Sequence, residues 1–245
     1  MLKFLGTGGA FNTKRGNTSA YFELGSELFL IDVGEDVFPK TIENHLFDQK
    51  TRVNIFITHL HSDHVGSLGT LLAYLYINVF GQDRSKICVY FPSEALKELL
   101  ELQGVTEEVY TFYVNLWDEL YVDGYQREVE YNFEAGKHTP YLDYKKNENC
   151  YHITFSQKKE FCFYYSGDTC EFNHQLSNPY AYDWIYHEVT MIKSAEVHFQ
   201  YDKLLEATKD MPADQKKKFV LMHLDSNFDV ERAKMDGFSI AGEQL

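Results

Sequence analysis

The 245 residues include 37 acidic and 23 basic side chains, giving a formal net charge of −14, and 44% are hydrophobic. That length and apolar content suffice for one substantial core, so a single α/β domain over residues 1–245 is expected. The acidic balance argues against stable binding of extended nucleic acid, which needs many lysine and arginine contacts to phosphate. It leaves a small anion admissible wherever a pair of divalent ions reverses the local field.

In chain order, residues 2–5, 20–23 and 28–33 read as strands, broken by Gly6-Thr7-Gly8-Gly9 and Gly25-Ser26. The Gly25-Ser26 break between two apolar runs predicts a hairpin. Residues 53–58 form another β-branched, apolar run. Residues 65–79 are apolar at helical spacing, and 87–91 read as a strand. Pro92-Ser93 opens a helix over 94–103 that stops at Gly104. Residues 105–126 look irregular and aromatic, with Tyr110, Phe112, Tyr113, Trp117, Tyr121 and Tyr125. Strands follow near 128–133, 151–155, 161–165, 182–186 and 219–222, with a helix over 201–208. The mixture suggests two sheets with helices outside.

Cys88, Cys150, Cys162 and Cys170 form no CxxC pair and suggest reduced, packed thiols. The first residues lack the pattern of a secretory leader, and no stretch approaches the roughly 20 apolar residues of a membrane span. A cytoplasmic setting without membrane partners is expected.

The chemistry concentrates in Thr58-His59-Leu60-His61-Ser62-Asp63-His64, directly after an apolar strand. Three imidazoles and a carboxylate in one loop can converge on a point, a ligand set suited to Zn, Mn, Fe or Ni. Asp63 also reads as the start of the next helix. Three further candidates stand at predicted strand ends: His138 in Gly136-Lys137-His138-Thr139-Pro140, Asp168 in Ser166-Gly167-Asp168-Thr169, and His223 after Leu221-Met222. Each alone is compatible with a turn aspartate or a strand-end histidine.

The string resembles the HxHxDH signature of the metallo-β-lactamase superfamily, and the three later residues fall where that resemblance asks for ligands. The resemblance implies an αββα sandwich of two packed mixed sheets flanked by helices. It also implies two divalent ions, with Zn²⁺ expected and Mn²⁺ as the alternative. His59, His61 and His138 would hold one ion, Asp63, His64 and His223 the second, and Asp168 would bridge them. Tyr186-His187-Glu188-Val189-Thr190 resembles the HEAT segment of the RNase Z branch, and His198 falls where that branch places a second histidine. By that resemblance Glu188 orients His198, and His198 donates a proton to the departing oxygen. The alternative for His198 is a surface histidine. His187 reads as a packed strand-end residue rather than a ligand. The catalytic candidates are therefore Asp63, Glu188 and His198.

RNase Z enzymes often carry an extended basic arm between the third histidine motif and the bridging aspartate. Here 29 residues separate His138 from Asp168, two predicted strands occupy much of that interval, and Lys145-Lys146-Asn147-Glu148-Asn149 is at most a short polar turn. The glycine-rich start through Ser19 and the stretch Ile31-Asp32-Val33-Gly34-Glu35-Asp36 resemble phage anti-Pycsar phosphodiesterases. That resemblance implies a homodimer that hydrolyses 3′,5′-cyclic nucleotides (cCMP and cUMP, with cAMP and cGMP) and counters cyclic-nucleotide antiphage signalling in the host cytoplasm. The aromatic stretch from Tyr110 to Tyr125 is the candidate base-recognition element, with core or dimer-interface packing as its alternative. The rivals are tRNA 3′ processing, lactone or thioester hydrolysis on the same fold, and non-catalytic nucleotide sequestration.

Overall fold

The computed structural model describes residues 1–122, 127–138, 150–158 and 160–243. Among these, six strands lie side by side in chain order in a first sheet: β1 (Lys3–Gly6), β2 (Ser19–Leu24), β3 (Glu27–Ile31), β4 (Arg52–Phe56), β5 (Ile87–Tyr90) and β6 (Thr111–Tyr113). A second sheet holds seven: β7 (Trp117–Val122), β8 (Arg127–Gly136), β9 (Cys150–Gln157), β10 (Phe161–Tyr165), β11 (Trp184–Glu188), β12 (Phe219–Met222) and β13 (Ser239–Ile240). Both sheets are mixed. β1–β3 run antiparallel and β3–β6 parallel, while β7–β10 form a meander and β10–β13 run parallel.

The main core lies between the sheets. Phe22 of β2 stands edge-on to Phe155 and Phe163 of the second sheet at 5.4 and 5.3 Å, and Phe56 of β4 meets Phe155 at 4.7 Å. Truncating one of these rings to alanine typically costs about 3–5 kcal/mol. Strand alternation then sends Tyr186, Val220 and Met222 inward, and Ile185, Phe219 and Leu221 outward into a second cluster. The helices α1 (Val37–Glu43), α2 (Ser62–Val65), α3 (Leu68–Tyr74) and α4 (Ala95–Leu102) belong to the first half of the chain. They add Val37, Leu68, Leu72 and Leu96 to the main core. In the second half, α5 (Tyr201–Thr208), α6 (Ala213–Lys216) and α7 (Val230–Met235) follow, and Tyr201, Leu204 and Ala233 close the outer cluster.

Several local expectations shift. The stretch read as irregular contains the short β6 and the edge strand β7. β7 alternates in burial, but Trp117 and Tyr121 take exposed positions and Asp118 a half-buried one, so its sequence lacks the apolar–polar alternation that marks a strand. The run 65–79 is not one helix: it breaks at Gly66-Ser67 and ends in a π-helical turn, Leu75–Val79. The strand read at 182–186 begins at Trp184, after a 3₁₀ turn at Pro179–Ala181. Asp63 does not begin its helix: α2 starts at Ser62 with His61 at the cap position, and the Asp63 carboxylate turns toward other histidines. Tyr125, Thr139, Pro140 and the Lys145–Asn149 turn lie outside the described residues. Among the described residues no helix is long and apolar enough to cross a membrane.

A candidate dinuclear metal centre

Strand direction brings the candidate residues together. β8, β10, β11 and β12 all point the same way, so His138, Asp168, Glu188 and His223 leave the second sheet along one edge. The loop after β4 delivers His59, His61, Asp63 and His64 from the first sheet. The exits are sharp. Asp32 and His223 adopt left-handed φ of 61° and 54°, uncommon for residues with a Cβ. Gly167 does the same at 55°, and a Cβ there would meet Cys150 Sγ, Thr58 Cβ and the Tyr151 carbonyl at 2.9 Å. Only glycine fits directly before Asp168.

The donor atoms fall into two groups that share Asp168: His59, His61 and His138 in one, and Asp63, His64 and His223 in the other. Four donors at tetrahedral corners, each about 2.0–2.1 Å from an ion, stand about 3.3 Å apart. In the second group Asp63 Oδ2 lies 3.3 Å from both His64 Nε2 and His223 Nε2. Asp168 Oδ1 lies 3.3 Å from the same two nitrogens. The first group is slightly looser. His61 Nδ1 is 3.0 Å from His59 Nε2 and 3.3 Å from His138 Nε2, and Asp168 Oδ2 stands 3.8 and 3.6 Å from those two nitrogens. His64 Nε2 and Asp168 Oδ1 are buried without a hydrogen-bond partner, a costly state that a cation between them would relieve. The donor set therefore fits two divalent ions, which His59, His61 and His138 and Asp63, His64 and His223 could hold with Asp168 common to both groups.

The outer ring nitrogens are fixed. His64 Nδ1 lies 2.9 Å from Asp32 Oδ2, and Asp32 also accepts from the Thr58 amide at 2.8 Å and the Thr58 hydroxyl at 2.9 Å. His138 Nδ1 lies 3.0 Å from the Val197 carbonyl, and His59 Nδ1 lies 3.1 Å from the Thr58 hydroxyl. Such contacts hold each ring so that its other nitrogen faces the rest of its donor group. Burial works to protonate Asp168, but the His223 and His64 imidazoles outweigh it and hold the carboxyl well below its usual range. Burial likewise works against a charged His223, yet Asp168, Asp63 and Glu188 raise that imidazole to about 10. Burial also drives His59 and His61 down toward the neutral form that binds metal. The cluster is a well for positive charge.

Glu188 and His198 meet beside it. Glu188 Oε2 is 2.8 Å from His198 Nδ1 and 3.5 Å from His223 Nδ1, and His198 Nδ1 is 3.9 Å from Asp168 Oδ2. The other Glu188 oxygen accepts from the Thr169 amide. Burial opposes a charged His198, but Glu188 and Asp168 raise it above its ordinary value. His187 is buried on the opposite face of β11, its Nδ1 against the Glu188 carbonyl at 2.6 Å, away from the donor groups.

Asp32 and the second contact of Glu188 escape sequence reading, because a lone aspartate after a strand has no signal of its own. The aromatic stretch is not gathered at this site within the chain. Tyr110 is buried in the core. Trp117 pairs with Asn132, six residues before His138, a separation of about 20 Å along an extended strand.

A family model described as anti-Pycsar protein Apyc1 matches residues 1–243. The anti-Pycsar protein Apyc1 of Bacillus phage BSP38 is 26% identical over 245 residues, covering 93% of this chain and 90% of its own. Ribonuclease Z of Methanocaldococcus jannaschii is 27% identical over 282 residues, covering 94% and 87%. Among solved structures, the metallo-β-lactamase fold protein YhfI from Bacillus subtilis superposes with a TM-score of 0.69 at 17% identity, covering 100% of this chain and 97% of its own. The architecture expected from the sequence is thus the one observed.

Proposed function

Since this chain belongs to the anti-Pycsar protein Apyc1 family and is a metal-dependent hydrolase of the metallo-β-lactamase fold, we propose that it hydrolyses 3′,5′-cyclic nucleotides to nucleoside monophosphates, counteracting cyclic-nucleotide antiphage signalling. The observation that carries this reading is the Glu188–His198 pair, 2.8 Å apart, against the shared Asp168. A carboxylate-held imidazole beside a two-ion site is what a departing alkoxide needs, whereas a strained lactam has less call for a proton donor on its leaving group.

In this reading His59, His61 and His138 hold one ion, Asp63, His64 and His223 the other, and Asp168 both, with Zn²⁺ expected and Mn²⁺ able to serve. When bound, such a pair withdraws charge from phosphoryl oxygens and lowers the pKa of a water. The chain's own groups do the rest. Asp63, set between the two histidines of its group, also orients the water for in-line attack. Glu188 keeps the His198 Nδ1 proton facing its carboxylate, which leaves Nε2 to deliver a proton to the departing ribose oxygen. The buried walls exclude competing water. The active species is a homodimer, for which the exposed Trp117 and Tyr121 on edge strand β7 offer a surface.

Purified, metal-loaded protein incubated with cCMP, cUMP, cAMP and cGMP tests the reading. Release of the linear monophosphate from at least one supports it. Turnover of a generic phosphodiester with none of the four cleaved would refute it. A second reading, tRNA 3′ processing, is favoured by the similarity to ribonuclease Z over nearly the whole chain. A gel assay with precursor tRNA at low and high salt separates the two, because a chain of charge −14 with only 29 residues between His138 and Asp168 is expected to leave that RNA uncut.

A further inference from the structure

Phe11 is 94% exposed. It sits at the third position of a tight turn closed by the Asn12 amide on the Gly9 carbonyl at 2.9 Å. The turn is fastened to the metal centre. A Cβ on Gly9 would stand 3.1 Å from His223 Cε1, so the backbone here lies on that ring. Phe11 follows two residues later, within about 7 Å of chain. The Asn12 side-chain amide donates to the Leu224 and Asp225 carbonyls at 2.9 and 3.2 Å, immediately beyond His223.

The Asp225 side chain takes hold of a second loop. Its Oδ2 accepts from the Met191 amide at 2.9 Å and the Thr190 hydroxyl at 3.2 Å. This is the loop that ends in His198, and its next residue, Ile192, is 45% exposed. Two outward apolar side chains, one of them a flat ring, therefore stand on loops joined through one residue at the rim of the centre. The same turn continues into Lys14 and Arg15, cations in a strongly acidic chain. An aromatic ring and an aliphatic side chain on joined loops, with two cations in the same turn as the ring, match the parts of a nucleotide.

We propose that Phe11, with Ile192 on the loop joined to its turn through Asp225, is the face on which the base of a nucleotide stacks while its phosphate lies in the metal centre. The inference rests on the cyclic-nucleotide reading above. It assigns base recognition to the β1–β2 turn rather than to the aromatic stretch on β6 and β7. Stacking on an aromatic face is sequence-tolerant, so it gives affinity for nucleotides in general and discriminates weakly among bases.

The test compares equilibrium binding of a nucleoside 5′-monophosphate and of ribose 5-phosphate to the metal-loaded protein, for wild type, Phe11→Ala and Phe11→Trp. The expected wild-type preference for the nucleotide is about 5- to 150-fold, the worth of one stacked base. Phe11→Ala should lower it to near unity with metal content unchanged, and Phe11→Trp should retain it. A preference that survives in Phe11→Ala, or is absent from wild type, overturns the assignment. So does a change of sedimentation mass in Phe11→Ala, which would make the ring a subunit contact. Failure of the underlying reading is seen separately, as lack of cyclic-nucleotide turnover by wild type whatever its base preference.

Discussion

His187 provides a prediction that needs neither metal nor substrate. Its ring is fully buried between Phe172 and Phe199, with centroids at 5.9 and 5.1 Å. Nδ1 donates to the Glu188 carbonyl, and Nε2 has no hydrogen-bond partner. Burial lowers its pKa from the ordinary 6.5 to about 4. Between those values the unfolded chain binds a proton that the folded chain refuses, so stability falls as pH drops from above 6.5 toward 4. One pH unit of such a difference is worth about 1.4 kcal/mol, which makes the loss about 2 kcal/mol at pH 5 relative to pH 7. His187→Phe keeps the ring packing and removes the titration. It gives up one hydrogen bond and also removes an unpaired buried nitrogen, so its own cost at pH 7 should be small. Urea melts of chelator-treated wild type and His187→Phe at pH 7 and pH 5 measure the effect. The variant should lose about 2 kcal/mol less than wild type over that interval. Parallel pH profiles would refute the reasoning, showing that the imidazole is solvated or protonated in the fold.

Asp168→Ala removes the residue common to both donor groups, so elemental analysis should find well under half the wild-type metal, and activity should vanish. Asp32→Ala frees His64 to rotate without deleting a ligand. Metal affinity, read by competition with a chelator, should fall about 10- to 100-fold, and activity should partly return at high metal concentration. His198→Ala should keep its metal while kcat for phosphodiester cleavage falls by about 10²- to 10⁴-fold, and a substrate with a good leaving group such as p-nitrophenol should lose far less. Equal losses on both substrates would remove the proton-donor role.

The sandwich and the two donor groups are legible in the sequence for a common reason. Each candidate ligand stands within a few residues of an apolar strand, and strand direction alone carries His138, Asp168 and His223 to one edge. What is not legible depends on neighbours far along the chain. Asp32 gains its role because β3 and β4 pair in parallel, which sets it beside Thr58 and His64. Glu188 reaches His223 as well as His198 because β11 and β12 are adjacent. The aromatic run beyond residue 105 misleads because ring-rich composition does not separate a buried tyrosine such as Tyr110 from an outward tryptophan on an edge such as Trp117. Phe11 is invisible for the converse reason: one ring in a glycine-rich turn resembles any loop residue until its exposure and the anchoring of Asn12 are known.

The donors do not come from one sheet. Four arrive on the loop leaving β4, and three come from strand ends of the opposite layer. Two cations held this way would act as rivets through the seam of the sandwich, so that the energy of metal uptake would also be energy against the layers sliding apart. Stripping the ions should therefore speed amide exchange at the tips of β4, β8, β10 and β12 together, while the far ends of β10 and β12, which carry Phe161 and Phe219, remain protected.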